Sequence, residues 1–184
     1  MSASTRTGEH ILSVAIRLFA EYGYAVTTQE DIAKEAGVAK GLVSYFFHGK
    51  EGILLAALKE VKEELAHICH FSEALTPPQQ LDQLVDSFCQ SYKEKYLLWK
   101  MYIPLTISEN TREWTRFQAE NEFQKLYRPL LHKLLSSLGH QDVDRNILQF
   151  EAMRKGALLM CLEGEETISI QHIAENWKAL FQKD

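Results

Sequence analysis

Between positions 28 and 50 the chain carries side chains suited to a polyanion rather than to a covalent reaction. Lys40 can reach a phosphate or the edge of a guanine, and the Tyr45 hydroxyl can donate to a phosphate. Gly41, two residues after Ala39, allows another backbone to approach closely, and Ser44 and His48 lie on the same short segment. Thr28 stands at a predicted helix start, where free N–H groups and the helix dipole attract an anion. Lys50 stands at the next start and can act in the same way. Gly49-Lys50 is not a phosphate-binding P-loop, because Ser44 occupies the position that needs its first glycine. The chain also lacks GxSxG, HExxH and GxGxxG patterns, and spacing singles out no nucleophile–base pair. No catalytic residue is therefore expected, and an all-α enzyme stands only as an alternative.

These residues need elements to position them. Apolar residues at helical spacing (Ile11, Ala15, Leu18, Phe19 and Tyr22) predict a helix over 8–22 that Gly23 can end. Thr28, with Asp31 three residues on, predicts a capped short helix to Ala36, ended by Gly37. A second short helix is expected from about Ala39 to Phe46. Two short helices crossing steeply need a small residue at the contact, a turn tolerant of positive φ and apolar side chains closing the angle. Ala33, Gly37 and the set Ile32, Ala36, Val38, Val43 and Phe46 meet those needs. The spacing is that of a helix-turn-helix, whose second helix enters the major groove of DNA.

Residues 10 to about 58 resemble the DNA-binding domain of the tetracycline-repressor (TetR) family of bacterial regulators. The resemblance rests on Ala15, Leu18-Phe19, Glu21-Tyr22-Gly23-Tyr24, Thr27-Thr28, Asp31-Ile32-Ala33, Ala36-Gly37-Val38, Lys40-Gly41, Tyr45-Phe46-Phe47 and Lys50-Glu51-Gly52. The chain departs from the family at Ser44, where many members carry Tyr, and at Phe46, where they carry Tyr or His. The resemblance implies a homodimer on a double-stranded, palindromic operator. It also implies a helical C-terminal domain that binds a small-molecule effector, with repression released on binding.

Composition agrees with a folded, helical chain. Of its 184 residues 46% are hydrophobic and 24% charged, with a net charge of −5. Residues 1–50 are neutral, with Arg6, Arg17, Lys34, Lys40 and Lys50 set against Glu9, Glu21, Glu30, Asp31 and Glu35, so the whole deficit lies beyond them. No apolar run is long enough to span a membrane, and no signal peptide precedes the first helix. Three cysteines without CxxC spacing suit a reduced, cytoplasmic setting better than a disulfide framework. The expected architecture is all-α: a three-helix reading domain at 1–52 and an effector-binding and dimerisation domain at 53–184. Within the second, helices are expected after Gly49, over 79–99, over 111–138 with a bend before Pro129, from Asp142 or Asp144 to Glu163, and from Ser169 to the end. Pro104 is expected to break or kink the chain.

Nine aromatic residues cluster within 88–127. Trp99, Tyr102, Trp114 and Phe117, which flank Pro104, are the candidates for walls of an apolar or amphipathic effector's pocket. The helices near the C-terminus are candidates for a four-helix dimer interface, through Phe150, Met153, Ala157, Leu158, Cys161, Ile173, Trp177 and Leu180. His67 and His70 are one turn apart, but Cys69 between them points elsewhere, so no metal site and no cofactor are expected. A regulator sensing metal or redox state through cysteine or histidine remains the other alternative.

Overall fold

A computed structural model describes residues 3–72, 74–107, 122–163 and 170–182. Among them the regular structure is helical: α1 (Ala3–Tyr22), α2 (Gln29–Glu35), α3 (Lys40–Phe47), α4 (Lys50–Ile68), α5 (Pro77–Glu94), α6 (Tyr96–Ile107), α7 (Glu122–Ser137), α8 (Val143–Glu163) and α9 (Ile170–Phe181). The chain divides into two compact units. The first holds α1 to α3, α4 as far as Glu63 and α6 from Leu97; the second holds the end of α4, α5, α7, α8 and α9. The division expected at residue 52 therefore falls inside α4, and the first unit extends past it.

In the first unit, local chemistry sets each helix end. Gly23, at φ 90°, turns the chain out of α1 and gives its N–H to the Phe19 carbonyl at 3.0 Å. Thr27 is buried there, and its hydroxyl closes on the Gly23 carbonyl at 2.8 Å. α2 ends in a Schellman motif: Gly37, at φ 65°, donates to Lys34 and Val38 donates to Ala33. Ile11, Ala15, Phe19, Ile32, Ala33 and Val43 close the core between α1, α2 and α3. Tyr22, expected on that apolar face, is exposed instead.

Two expectations about breaks need correction. The period predicts one helix from Gln79 to Trp99, but the chain leaves helical geometry at Lys95 (φ −106°, ψ 32°) and restarts at Tyr96. Neither glycine nor proline marks that joint, so the apolar pattern runs straight across it. Pro104, in contrast, breaks nothing: it lies inside α6, and Pro129 lies inside α7. The part of the expected long helix before Glu122 lies outside the described residues.

The second unit is built round aromatic rings. Phe88 of α5 stacks on Trp177 of α9 with centroids 6.0 Å apart, and Phe150 of α8 meets Trp177 at 4.7 Å and Phe181 at 5.2 Å. Polar fastenings surround these rings. Lys178 pairs with Asp86 at 2.6 Å, Gln182 donates to Asp82 at 2.7 Å, and the His140 ring meets the Phe181 carbonyl at 2.9 Å. Among the described residues, no helix is long and apolar enough to cross a membrane.

Candidate nucleic-acid interface and sensor interior

α3 presents an open end and an open face. Its N-cap, Ala39, makes no side-chain hydrogen bond, so no side chain closes the first turn, where Lys40 and Gly41 lie. A methyl group at Gly41 would meet no protein atom within 4 Å. The missing side chain thus serves no packing need of the chain itself; it leaves room for something from outside. Tyr45 is 71% exposed, with its ring held edge-on against Phe46 at 5.3 Å. Ala39, Lys40, Ser44 and His48 are exposed too. His48 ends the helix at φ 57°, and its N–H is given to the Ser44 carbonyl. One surface therefore carries most of the candidate DNA-binding residues.

Thr28 and Lys50 are placed differently. Thr28 caps α2 in a full capping box: its hydroxyl accepts from the Asp31 N–H at 3.2 Å, and its own N–H donates to the Asp31 carboxylate at 2.9 Å. The Thr28 hydroxyl also donates to that carboxylate at 2.6 Å, and this bond, then the one from the N–H, holds the Asp31 carboxyl below its usual range. Lys50 is half-buried, and its ammonium donates to the carbonyls of Tyr24, Ala25 and Thr27 at 2.8, 3.3 and 3.0 Å. It also lies 4.4 Å from the Tyr24 ring centroid. An ammonium has three hydrogens. All three are engaged within the protein, so Lys50 pins the α1–α2 turn rather than pointing at a phosphate.

Two residues that local sequence patterns do not single out also belong to this surface. Gln29, the first residue of α2, donates from its amide to the Ser44 hydroxyl at 2.6 Å. Glu30, the next, forms an ion pair with Lys40. That bond from Lys40 is the main cause holding the Glu30 carboxyl below its usual range. Both partners lie ten or more residues away, beyond the reach of helix periodicity. A second constraint sits behind them. A methyl group at Gly52 would lie 1.7 Å from the Phe47 carbonyl oxygen, so α3's end and α4's first turn pack backbone to backbone.

A family model described as "Bacterial regulatory proteins, tetR family" matches residues 11–57, which take in α2, the turn and α3. Residues 11–57 therefore match the DNA-binding part of the tetR family of bacterial regulatory proteins. This regulator is 27% identical over 188 residues to the HTH-type transcriptional regulator YerO of Bacillus subtilis (strain 168), covering 90% of its own length and 60% of YerO. It is 28% identical over 174 residues to LmrA, an HTH-type transcriptional regulator of the same strain, covering 90% of this chain and 92% of LmrA. In fold it is similar to a transcriptional regulator from Saccharomonospora viridis solved in complex with choline. That likeness has a TM-score of 0.77 and 20% identity, covering 98% of this chain and 97% of the other.

The regulator's second unit encloses a charged pair. Arg154 donates from Nη2 to Glu151 Oε2 at 2.8 Å and from Nε to Oε1 at 3.3 Å, and its guanidinium carbon lies 5.6 Å from the Phe88 ring centroid. The side chains are only 13% and 26% exposed. Burial works against both charges. The Arg154 bond and charge nevertheless hold Glu151 below its usual range, and Tyr92 with Glu151 holds Arg154 above its own. Burial also pushes the thiols of Cys69 and Cys89 up to about 12. Such thiols are protonated near neutral pH, which makes them poor metal ligands and poor redox nucleophiles. Among the described residues, no three His, Cys, Asp or Glu side chains gather where an ion could sit.

The remaining candidates divide. Trp99 is buried in the first unit with Tyr102 edge-on to it at 5.8 Å; Trp114 and Phe117 lie outside the described residues. A groove of about 840 Å³ in the second unit, lined in part by Phe71, Leu75, Leu130, Lys133 and Leu134, carried no signal in the sequence. The expected dimer surface is corrected in part. Phe150, Ala157, Leu158 and Trp177 are buried inside the protomer, because α5 and the neighbouring helices already cover them. Met153, Cys161 and Ile173 are half-exposed, while Leu180 is open along with Leu148, Leu159 and Met160.

Proposed function

We propose that this chain is a cytoplasmic, ligand-responsive repressor. It binds a palindromic double-stranded operator as a homodimer and leaves it when a small apolar or amphipathic effector binds. The observation that carries the reading is the surface of α3: an uncapped first turn, a glycine with nothing over it, an exposed lysine and an exposed tyrosine. Such a helix seats in a major groove with its N-terminal residues toward base edges, and two copies about one DNA turn apart read a palindrome. Ala39, Gly41, Lys40, Ser44, Tyr45 and His48 are the contacts in this reading, with Thr28 and Lys50 shaping the elements behind them.

The homodimer reading is supported by Leu148, Leu159, Met160 and Leu180, exposed apolar side chains on α8 and α9. These replace the buried half of the expected interface, with Met153, Cys161 and Ile173 beside them. Trp99, Tyr102, Trp114 and Phe117 remain the proposed effector contacts. The choline complex of the Saccharomonospora viridis protein supports a small-molecule site in this fold.

Selection of bound duplexes from a random library tests the DNA reading. A palindromic sequence should emerge, bound with an affinity that falls steeply as salt rises. Enrichment of no sequence, with binding insensitive to salt, overturns the reading. Native mass measurement of the purified protein tests the sensor half by reading subunit number and any co-purified small molecule.

A further inference from the structure

Residues 1–50 are neutral, and the structure shows the partners of three of their five cations. Arg17 is held by Glu35 at 2.6 Å and by Glu21 at 3.7 Å. Lys50 is engaged by three carbonyls. Lys40, on the open end of α3, is paired with Glu30 across the helix-turn-helix angle. That pair is unlike the Lys50 cluster in one respect: its side chains are 57% and 61% exposed, so water and ions reach it freely. An exposed ion pair is weak and exchanges readily. Its neighbour, Gln29 on Ser44, joins the same two helices in the same way. The first turn of α2 thus holds two of the residues with which α3 would meet DNA.

We infer that Glu30 determines the specificity of DNA binding, by holding Lys40 in the free protein and opposing its contact with phosphate wherever α3 is not fully seated. The inference rests on the proposed function above. On an arbitrary duplex, Lys40 must exchange one anionic partner for another, and a carboxylate is carried toward the phosphates. Little affinity results. On the operator, base contacts from the seated helix hold α3 in place, and Lys40 is drawn from Glu30 to phosphate as one contact among several. Discrimination of this kind weakens the wrong complex more than it strengthens the right one. It does not require Glu30 itself to touch a base.

The test uses the full chain and does not depend on the operator's sequence. Binding to a random-sequence 30-base-pair duplex is measured across a salt series for wild type, Glu30→Gln, Glu30→Gln/Lys40→Ala, and Glu63→Gln. The last removes the same charge from the exposed Lys59–Glu63 pair on α4. Thermal melts confirm that each variant is folded. Glu30→Gln should bind the random duplex about 5- to 10-fold tighter at moderate salt, with a salt slope steeper by about one phosphate contact per protomer. Lys40→Ala in the same chain should remove that gain, and Glu63→Gln should not reproduce it.

Equal affinity of Glu30→Gln and wild type overturns the inference. So does a gain that survives Lys40→Ala, or one that Glu63→Gln matches, since net charge alone would then explain it. Salt-sensitive binding by wild type with no response in the variants leaves the regulator reading standing and removes only the role of Glu30. Wild type and Glu30→Gln that both fail to bind the random duplex at any salt overturn the inference, while the library selection decides the regulator reading.

Discussion

Two of the molecule's carboxylate–cation pairs sit in opposite surroundings. Glu30 and Lys40 meet in water on the reading surface, while Glu151 and Arg154 meet inside an aromatic bundle with the guanidinium over Phe88. The first costs little to form and little to break, so it can exchange partners during binding. The second has already lost its hydration, and removing one partner strands the other in a poor solvent. Exposure, rather than the identity of the charges, decides which pair can act in binding and which holds the fold.

The largest effect should come from stranding a charge. Glu151→Gln leaves Arg154 without its counter-charge and should lower unfolding free energy by about 3 kcal/mol, read in urea denaturation. Replacing both residues by apolar ones of similar volume should restore most of that loss. If Glu151→Gln shifts the midpoint no more than a surface change does, the contrast between the two pairs collapses. The pair also carries a pH dependence. The folded protein holds Glu151 below its ordinary value of 4.5, so its contribution is complete above that value. It is lost as pH falls through the lower folded value. An acid titration of stability should show that loss in wild type and lack it in the doubly apolar variant.

Next comes Gly52→Ala. Its methyl group cannot fit 1.7 Å from the Phe47 oxygen, so the start of α4 must move off α3. About 2 kcal/mol of stability should be lost together with DNA binding, whereas Gly41→Ala, with no protein atom over it, should leave stability unchanged. Melts and duplex binding on the same samples test both halves. Smaller again are Lys40→Ala and Tyr45→Phe. Each should weaken DNA binding severalfold without moving the melting temperature, and Lys40→Ala should reduce the salt slope by about one contact per protomer. The smallest effect belongs to Lys59→Ala on α4, whose exposed pair with Glu63 should be worth less than about 1 kcal/mol.

What the sequence made legible was whatever depends on near neighbours. Thr28 and Asp31 are three residues apart, and their capping box forms as expected; Gly37 supplies the positive φ that the turn between α2 and α3 needs. Contacts made across the fold left no such trace. Lys50 finds its carbonyls more than twenty residues back, and Glu30 finds Lys40 ten residues on. Glu151 and Arg154 stand at i, i+3, where a pair ordinarily faces water; only packing shows that this one is enclosed. Which residues of α8 and α9 the protomer itself buries was illegible for a related reason. Apolar spacing along α8 and α9 shows that a face is buried, and says nothing about whether the protomer or a second copy buries it.

The joint between Phe47 and Gly52 has a mechanical consequence. His48 and Gly49 turn the chain through two positive-φ residues, and the backbones then meet with no side chain between them. A connection that short has no slack. The first turn of α4 cannot tilt or slide without carrying α3's end with it, because no loop is available to stretch and no side chain to rotate out of the way. α4 is 19 residues long, about 28 Å as a helix. Its first turn and the end of α3 therefore form one rigid corner within the first unit.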